Sequence, residues 1–367
     1  MDRLNFCDEK LYYIGGVVRD ELLKKDSFDI DITYVGDAIE YCKNLEKNRL
    51  CKILKINEPF GTVRVLINNN ETDIASTRNE IYVRKGHLPI VTEIGCELKK
   101  DVLRRDFTVN TLAKSVKTGE IIDYTGGLKD IKEKKLRILH DESFIDDPTR
   151  IIRGLKFSVR FGFVLDKHTK KLQDEYLDNI NYDMSYKRLK KELMETFNLN
   201  LQKAFQIFIE QKMYKLLTTG IVEAPNFDIQ SLVNNYPVKN TWLVYLAWMD
   251  LSKLPLSKEE LKIVEEFKQL KNEELPQDDF EIYKLFKDKS LESVLLYIIN
   301  INEKAGMRYL NLRDITLNIT GQDLKEMGIA PSPEYAKCFD YVLKHKLNNP
   351  LISKEMELRL AKEFFSS

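Results

Sequence analysis

The chain has 367 residues, 43% of them hydrophobic and 32% charged, with 58 Lys and Arg set against 58 Asp and Glu. That length buries sizeable cores and predicts two or more domains, while the balanced charge gives no overall sign of a polyanionic partner, although balance conceals local patches. No apolar run approaches the ~18 residues of a membrane-spanning helix, and the opening stretch MDRLNFCDEK lacks the apolar centre of a signal peptide. The five cysteines, Cys7, Cys42, Cys51, Cys96 and Cys338, are odd in number and form no CxxC pair, which excludes a disulfide framework and a cysteine zinc site. The four histidines, His87, His140, His168 and His345, are too scattered for a metal cluster. These features together predict a cytoplasmic protein without membrane attachment.

In chain order, residues 1–137 alternate short apolar runs with helical stretches, an α/β pattern. Residues 11–33, LYYIGGVVRDELLKKDSFDIDIT, read as a strand over 11–14, a tight turn at Gly15 and Gly16, the start of an amphipathic helix, and a second strand carrying Asp29 and Asp31. Strand side chains two apart share a face, so these carboxylates repel each other unless cations sit between them. Oxygen-only ligands of this kind suit a hard ion such as Mg²⁺. The glycine pair lets the backbone approach a triphosphate closely. A solvated acid pair or an ordinary turn accounts for either half alone, and the two halves at this spacing are more specific.

A helix follows over 38–48, then strands over 51–56, 62–67 and 72–76, with Asn68, Asn69 and Asn70 supplying hairpin turn chemistry. Asp73 lies on the last of these strands. It fits two roles equally, a third carboxylate beside Asp29 and Asp31 or an edge-strand acid facing water. Residues 80–100 contain Gly86 and Pro89 and show no clean periodicity, so they read as a long loop. In 101–113, DVLRRDFTVNTLA, Arg104 and Arg105 bring two planar forks for ribose or phosphate oxygens, with Asp106 placed to hold one of them. A salt-bridged helix start is the plainer account of the same three residues.

From residue 139 glycine becomes rare and helical apolar spacing persists almost to the end. Asp147 and Pro148 read as a helix cap followed by a first-turn proline. Arg150, Arg153 and Lys156 then recur at every third residue, a period that drifts slowly round a helix and lines one groove, or else forms a solvated basic face. Residues 185–197 read as an amphipathic helix opened by a serine, and Phe205, Phe208 and Leu216 within 201–217 read as core. Residues 273–279 read as an acidic loop.

Four of these segments, in this order, resemble the class II tRNA nucleotidyltransferases, the CCA-adding enzymes and their bacterial poly(A) polymerase relatives. GGxxRD followed by DxD resembles motif A, and DVLRRDFTVNTLA resembles motif B, usually DLxRRDFTxNAMA. Residues 126–137 resemble the hinge segment DxxGGxxDLxxxxLR. Residues 146–157 resemble motif D, EDxxRxxRxxRF, with Asp146 standing for the usual Glu and Lys156 for the usual third Arg. A weaker match at 317–333 resembles the tail element ITGxDLxxxGxxPGP, with Ser332 in place of a glycine.

The resemblance implies an α/β head of polymerase-β-like nucleotidyltransferase type followed by an all-α neck, body and tail. The head would be 1–137, the base-reading neck 138–200, and the tRNA-binding body and tail 201–367. It implies transfer of C and A nucleotides from CTP and ATP to the tRNA 3′ end, with contacts to the acceptor and T arm and release of pyrophosphate. Asp29 and Asp31 would hold Mg²⁺, and members of the superfamily often place a third carboxylate at the position of Asp73. Gly15, Gly16 and Arg19 would cradle phosphates, while Arg104, Arg105, Asp106 and Asn110 would serve the nucleotide, Arg105 on its ribose side. Asp147, Arg150, Arg153 and Lys156 complete the nucleotide site. An ionised Asp accepts and an Arg donates, so Asp147 and Arg150 suit the donor–acceptor edge that cytosine and adenine share and that uracil and guanine reverse. Lys325, Lys337, Lys344, His345 and Lys346 are candidate phosphate contacts in the tail, or plain solvated surface. The rival readings are an enzyme that adds only A or only CC, a poly(A) polymerase, and a catalytically inactive tRNA-binding protein. The uncut length of 80–100 argues against CC-only addition, since the family carries a mobile loop there.

Overall fold

A computed structural model of the chain describes residues 8–26, 31–181, 183–220 and 222–366. It divides into two compact units, one of residues 1–220 with 253–255 and one of residues 221–252 with 256–367. Asp29 lies outside the described residues.

The first unit is built on a seven-stranded mixed sheet. Its strands are β1 (Leu11–Ile14), β2 (Asp31–Tyr34), β3 (Lys52–Asn57), β4 (Thr62–Ile67), β5 (Asn70–Ser76), β8 (Ala113–Ser115) and β9 (Ile121–Ile122), in the order β3-β4-β5-β2-β1-β8-β9. Only β2 and β5 run parallel, with Asp31 opposite Asp73. On β4 the residues Val63, Val65 and Ile67 are buried at period two while Arg64 faces out. That alternation fixes the register, because a one-residue slip would turn every side chain over. Helix α1 (Gly16–Leu22) leaves the end of β1. Helix α2 (Ala38–Lys47) packs Ala38, Cys42 and Leu45 on the sheet, and its first turn is capped by Asp37, which accepts from the Ile39 and Glu40 amides at 2.8 and 3.1 Å. The β4–β5 hairpin turns at Asn68 and Asn69, with φ of 50° and 62°, a conformation that asparagine tolerates better than most residues.

Residues 80–100 depart from the expected loop. They contribute an antiparallel ribbon, β6 (Arg78–Ile81) with β7 (Ile90–Ile94), and the start of helix α3 (Leu98–Leu103). The two strands lie outside the main sheet, shift register between Asn79 and Glu80, and leave Ile81, Ile90 and Ile94 exposed. With no buried face there is no alternation for the sequence to display. Beyond β9, helix α4 (Gly127–Glu133) starts where Asp123 accepts from four successive amides, Thr125 to Leu128, at 2.9 to 3.1 Å. A Cβ on Gly127 would come within 2.3 Å of the Thr108 carbonyl oxygen, so only glycine allows this contact.

A short parallel pair, β10 (Lys135–Leu136) with β11 (Val164–Leu165), flanks helices α5 (Ser143–Asp146) and α6 (Thr149–Phe161). Helices α7 (Lys167–Asp178), α8 (Tyr186–Phe197) and α9 (Leu201–Glu210) complete the unit, with α6 packed on α8 and α9. Phe205, Phe208 and Leu216 are buried as expected.

The second unit is all helical, from α10 (Ile229–Asn235) and α11 (Thr241–Leu246) through α12 (Lys258–Leu270), α13 (Asp279–Phe286), α14 (Leu291–Asn300) and α15 (Glu303–Leu312) to α16 (Gly321–Glu326), α17 (Glu334–Asn348) and α18 (Lys354–Ser366). Polar caps start most of them, including a reciprocal Ser257–Glu260 capping box on α12. Helix α14 is buried nearly all round and forms the centre. The last three helices enclose Ile319, Leu324, Cys338, Val342 and Ala361. Here Lys346 departs from the phosphate-contact expectation. It is buried and donates to Glu357, which also accepts from the amides of Asn318 and Ile319, so its charge holds the tail together. Ser332 has no positive φ and its hydroxyl accepts from the Glu334 amide, so the missing glycine leaves no strained turn. Among the described residues no helix is long and apolar enough to cross a membrane.

Candidate nucleotide-binding site

A cavity of about 390 Å³ opens in the first unit where several segments meet. The β1–α1 turn contributes Gly15, Gly16 and Arg19, and the start of β2 contributes Asp31. The segment after α3 contributes Arg104, Arg105, Asp106 and Asn110. Asp147 and helix α6 contribute Asp147, Arg150, Arg153, Lys156 and Phe157. Every described residue expected at the site therefore lines this one cavity, except Asp73. That residue sits beside Asp31 in register, and its carboxylate receives both arms of Arg64 at 2.8 and 2.7 Å.

The turn is shaped by what packs against it. Gly15 has a φ of 71°, and a Cβ there would lie 2.9 Å from Nη1 of Arg105. The backbone angle favours glycine, whereas the guanidinium is the end of a flexible side chain that can shift aside. Arg19 is buried, donates to Asp20 and to the Asn110 side-chain oxygen, and lies over the rings of Phe157 and Phe161 at 4.9 and 4.6 Å. Burial lowers its pKa below the usual guanidinium value, against the pull of Asp20. Asn110 is held in turn by Asp106 at 2.8 Å.

Two expectations about the arginine pair are corrected. Asp106 does not hold Arg104 or Arg105; it receives Arg153 at 2.8 and 2.7 Å. The residue that holds both arginines is Asp101, three and four positions earlier on α3, which accepts from Arg104 at 2.8 Å and from Arg105 at 3.1 Å. Helical spacing brings those groups together, as in the plainer salt-bridged account of the segment, but with Asp101 rather than Asp106 as the acid. Burial alone would raise the Asp101 carboxyl, but Arg105 and Arg104 outweigh it and hold the pKa below its usual value. The same contest at Asp106, burial against Arg153 and Asn110, ends well below the usual carboxylate range. Arg153 is shifted upward by Asp106 in spite of burial.

The basic series on α6 is neither a solvated face nor unmatched. Arg150 is 3% exposed and donates to the Ser143 hydroxyl at 2.6 Å, the Arg104 carbonyl at 3.0 Å and the Tyr82 hydroxyl at 3.3 Å. Arg153 and Lys156 both reach Glu192 of α8, at 3.2 and 2.7 Å, and Lys156 also reaches Glu195 at 2.9 Å. Asp147 does cap the helix, accepting from the amide and hydroxyl of Thr149 at 3.2 and 2.6 Å, and its other oxygen accepts from Arg188.

Sequence reasoning missed five lining residues, Glu80, Tyr82, Phe157, Arg188 and Glu192. The first two end the ribbon that was read as loop. Arg188 and Glu192 stand four apart on α8, so they share a helix face, and that polar pair on an otherwise amphipathic helix was the available signal. In all, seven cationic and five anionic side chains line the cavity. Nε of Arg105 and Nη1 of Arg188 are buried donors without an acceptor among the described residues. Such groups are costly unless a ligand rich in acceptor oxygens meets them.

Residues 11–137 match the family profile of the poly A polymerase head domain. The chain is 30% identical over 404 residues to an A-adding tRNA nucleotidyltransferase of Geobacter sulfurreducens, covering 96% of this chain and 44% of that protein. It is 28% identical over 390 residues to a CCA-adding enzyme of Leuconostoc citreum, covering 99% and 94%. A solved CCA-adding enzyme in complex with ATP superposes with a TM-score of 0.74 at 25% identity, over 95% of this chain and 88% of that one. The chain thus spans less than half the length of the Geobacter relative.

Proposed function

We propose that this chain, whose residues 11–137 match the poly A polymerase head domain, is a tRNA nucleotidyltransferase, adding C and A from CTP and ATP to the tRNA 3′ end. The observation that carries the proposal is the convergence of the β1–α1 turn, Asp31, the 104–110 segment and α6 on one cavity with unsatisfied guanidinium donors. The glycine turn admits the triphosphate, Arg105 meets the ribose side, and Asp147 and Arg150 read the base edge. A carboxylate has about four lone-pair sites, so Asp147 keeps capacity for a base amino group beside Thr149 and Arg188.

The donor set fits a divalent cation of the hard class. Asp31 lines the cavity with oxygen donors, and Asp73 stands next to it on the same sheet face. Among the described residues no three His, Cys, Asp or Glu form a metal cluster, and Asp29 lies outside them. Asp29 and Asp31 would hold Mg²⁺, which when bound lowers the pKa of the primer hydroxyl and stabilises charge on the departing pyrophosphate. The residues after 200 would bind the tRNA through exposed cations such as Lys325 and Lys337, and the free cysteines suit the cytoplasm.

Addition of A alone is the second reading, favoured by the name of the 30% identical relative. The deciding experiment offers the purified chain tRNAs ending before CCA, after C, after CC and after CCA, with each NTP separately. Stepwise use of CTP and then ATP supports the first reading. Extension only of the CC-ended tRNA with ATP supports the second, and extension of none overturns both.

A further inference from the structure

We propose that Arg64 is a resident counter-cation of the carboxylate site, holding Asp73 out of metal coordination and thereby weakening the site's affinity for divalent ions. The inference rests on the metal-site reading above. Asp31 on β2 is opposite Asp73 on β5, and Asp73 is opposite Arg64 on β4. Residues paired across adjacent strands share a face, so the three form a row on one side of the sheet, spaced by about 4.8 Å per strand. This is the outward side, away from the buried Val63 and Val65.

Within the row Arg64 engages Asp73 with its planar fork, Nε to Oδ1 and Nη2 to Oδ2, and its Nη1 lies 3.8 Å from Glu71. A bidentate guanidinium occupies both oxygens in the plane where a metal would approach. The pair is half-exposed, so its own contribution to stability is small and screened. Its effect on a doubly charged ion near Asp31 is larger. It cancels one ligand charge and adds no repulsion while closed. A cation that recruits Asp73 has to break the fork and then face the released Arg64. Asp73 is therefore a conditional third carboxylate, gated by a residue one strand further out.

The test is Mn²⁺ binding to the ligand-free full chain, with free ion counted by electron paramagnetic resonance, so no turnover is needed. Arg64→Gln is expected to bind Mn²⁺ about tenfold more tightly than wild type, because it uncovers the Asp73 charge a few ångströms from Asp31. Arg64→Gln combined with Asp73→Asn is expected to return to about the wild-type affinity, because Asp73 contributes nothing while Arg64 holds it. Arg64→Lys, which keeps the charge and loses the fork, should fall between. Thermal unfolding of each variant checks that the exposed substitutions leave the fold in place. An unchanged affinity in Arg64→Gln, or a double variant still as tight as Arg64→Gln alone, overturns the role of Arg64. If Asp31→Asn binds Mn²⁺ as tightly as wild type, the metal-site reading itself falls, an outcome distinct from the other two.

Discussion

The cavity has two unlike sides. On the strand side, Asp31 is an exposed carboxylate at the first position of its strand, next to a second acid already closed by Arg64. On the helical side, Arg150 and Asp147 are buried and Arg153 is partly buried; Asp106 and Glu192 meet Arg153, Arg188 meets Asp147, and the Ser143 hydroxyl and Arg104 carbonyl hold Arg150. Under the proposed function the strand side receives a cation. The helical side is arranged to keep its shape when a ligand enters, since buried charges are tolerated only when paired and hydrogen-bonded. Under the proposed function, chemistry and selection fall to different materials within one site, so substitutions on the two sides should fail in different ways.

The largest effect should come from the strand side. Asp31→Ala is expected to lose at least roughly a hundredfold in turnover while its unfolding temperature stays within a degree or two of wild type, because the proposed metal ligand it removes is exposed. Near-normal turnover would erase the distinction between the sides. Next in size is Arg188→Ala on the helical side, which leaves the Asp147 carboxylate without its charged partner. About a tenfold loss in kcat/KM for CTP and ATP is expected, with about 1–2 kcal/mol of stability lost, the low end for a partly exposed pair. Steady-state kinetics with chemical denaturation separates these terms, and a loss of activity with no loss of stability would mean that Arg188 only touches ligand.

The acid limb of stability sharpens the same contrast. The Asp101 and Asp106 carboxyls have folded pKa values below the ordinary value of about 3.9, so their contribution is complete above that pH and is lost as pH falls toward the folded values. Unfolding temperature should therefore decline as pH is lowered below about 4, and Asp106→Asn should show a shallower decline from a lower plateau. An equal slope in the variant would remove Asp106 from the account. The smallest effect is expected for Lys156→Ala, about threefold in kcat/KM, since its ammonium is already spent on Glu192 and Glu195. A loss near that of Asp31→Ala would return Lys156 to the role of a direct phosphate contact.

Much of the head was legible because its signals are local. Period-two burial on β4, paired asparagines at a hairpin and a glycine turn after a short strand each state their structure within a few residues. The ribbon of β6 and β7 was hidden because neither strand has a buried face to impose alternation. The site residues themselves were legible as motifs, yet their partners were not. Asp106 reaches Arg153, 47 positions away, and Asp147 reaches Arg188, 41 positions away, so only the packing of α6 on α8 and on the 104–110 segment reveals who holds whom. The same limit explains Lys346, which looks like any tail lysine until Glu357 is seen beneath it.

The most direct test of the central claim, that this one cavity selects nucleotides through the base edge met by Asp147 and Arg150, is calorimetric titration of CTP, ATP, UTP and GTP into wild type and Asp147→Ala. Wild type is expected to bind CTP and ATP more tightly than UTP and GTP, and Asp147→Ala to weaken the first pair until the gap closes. Should Asp147→Ala melt earlier yet keep the same order of affinities, Asp147 would be only the cap of α6 and the claim would be wrong.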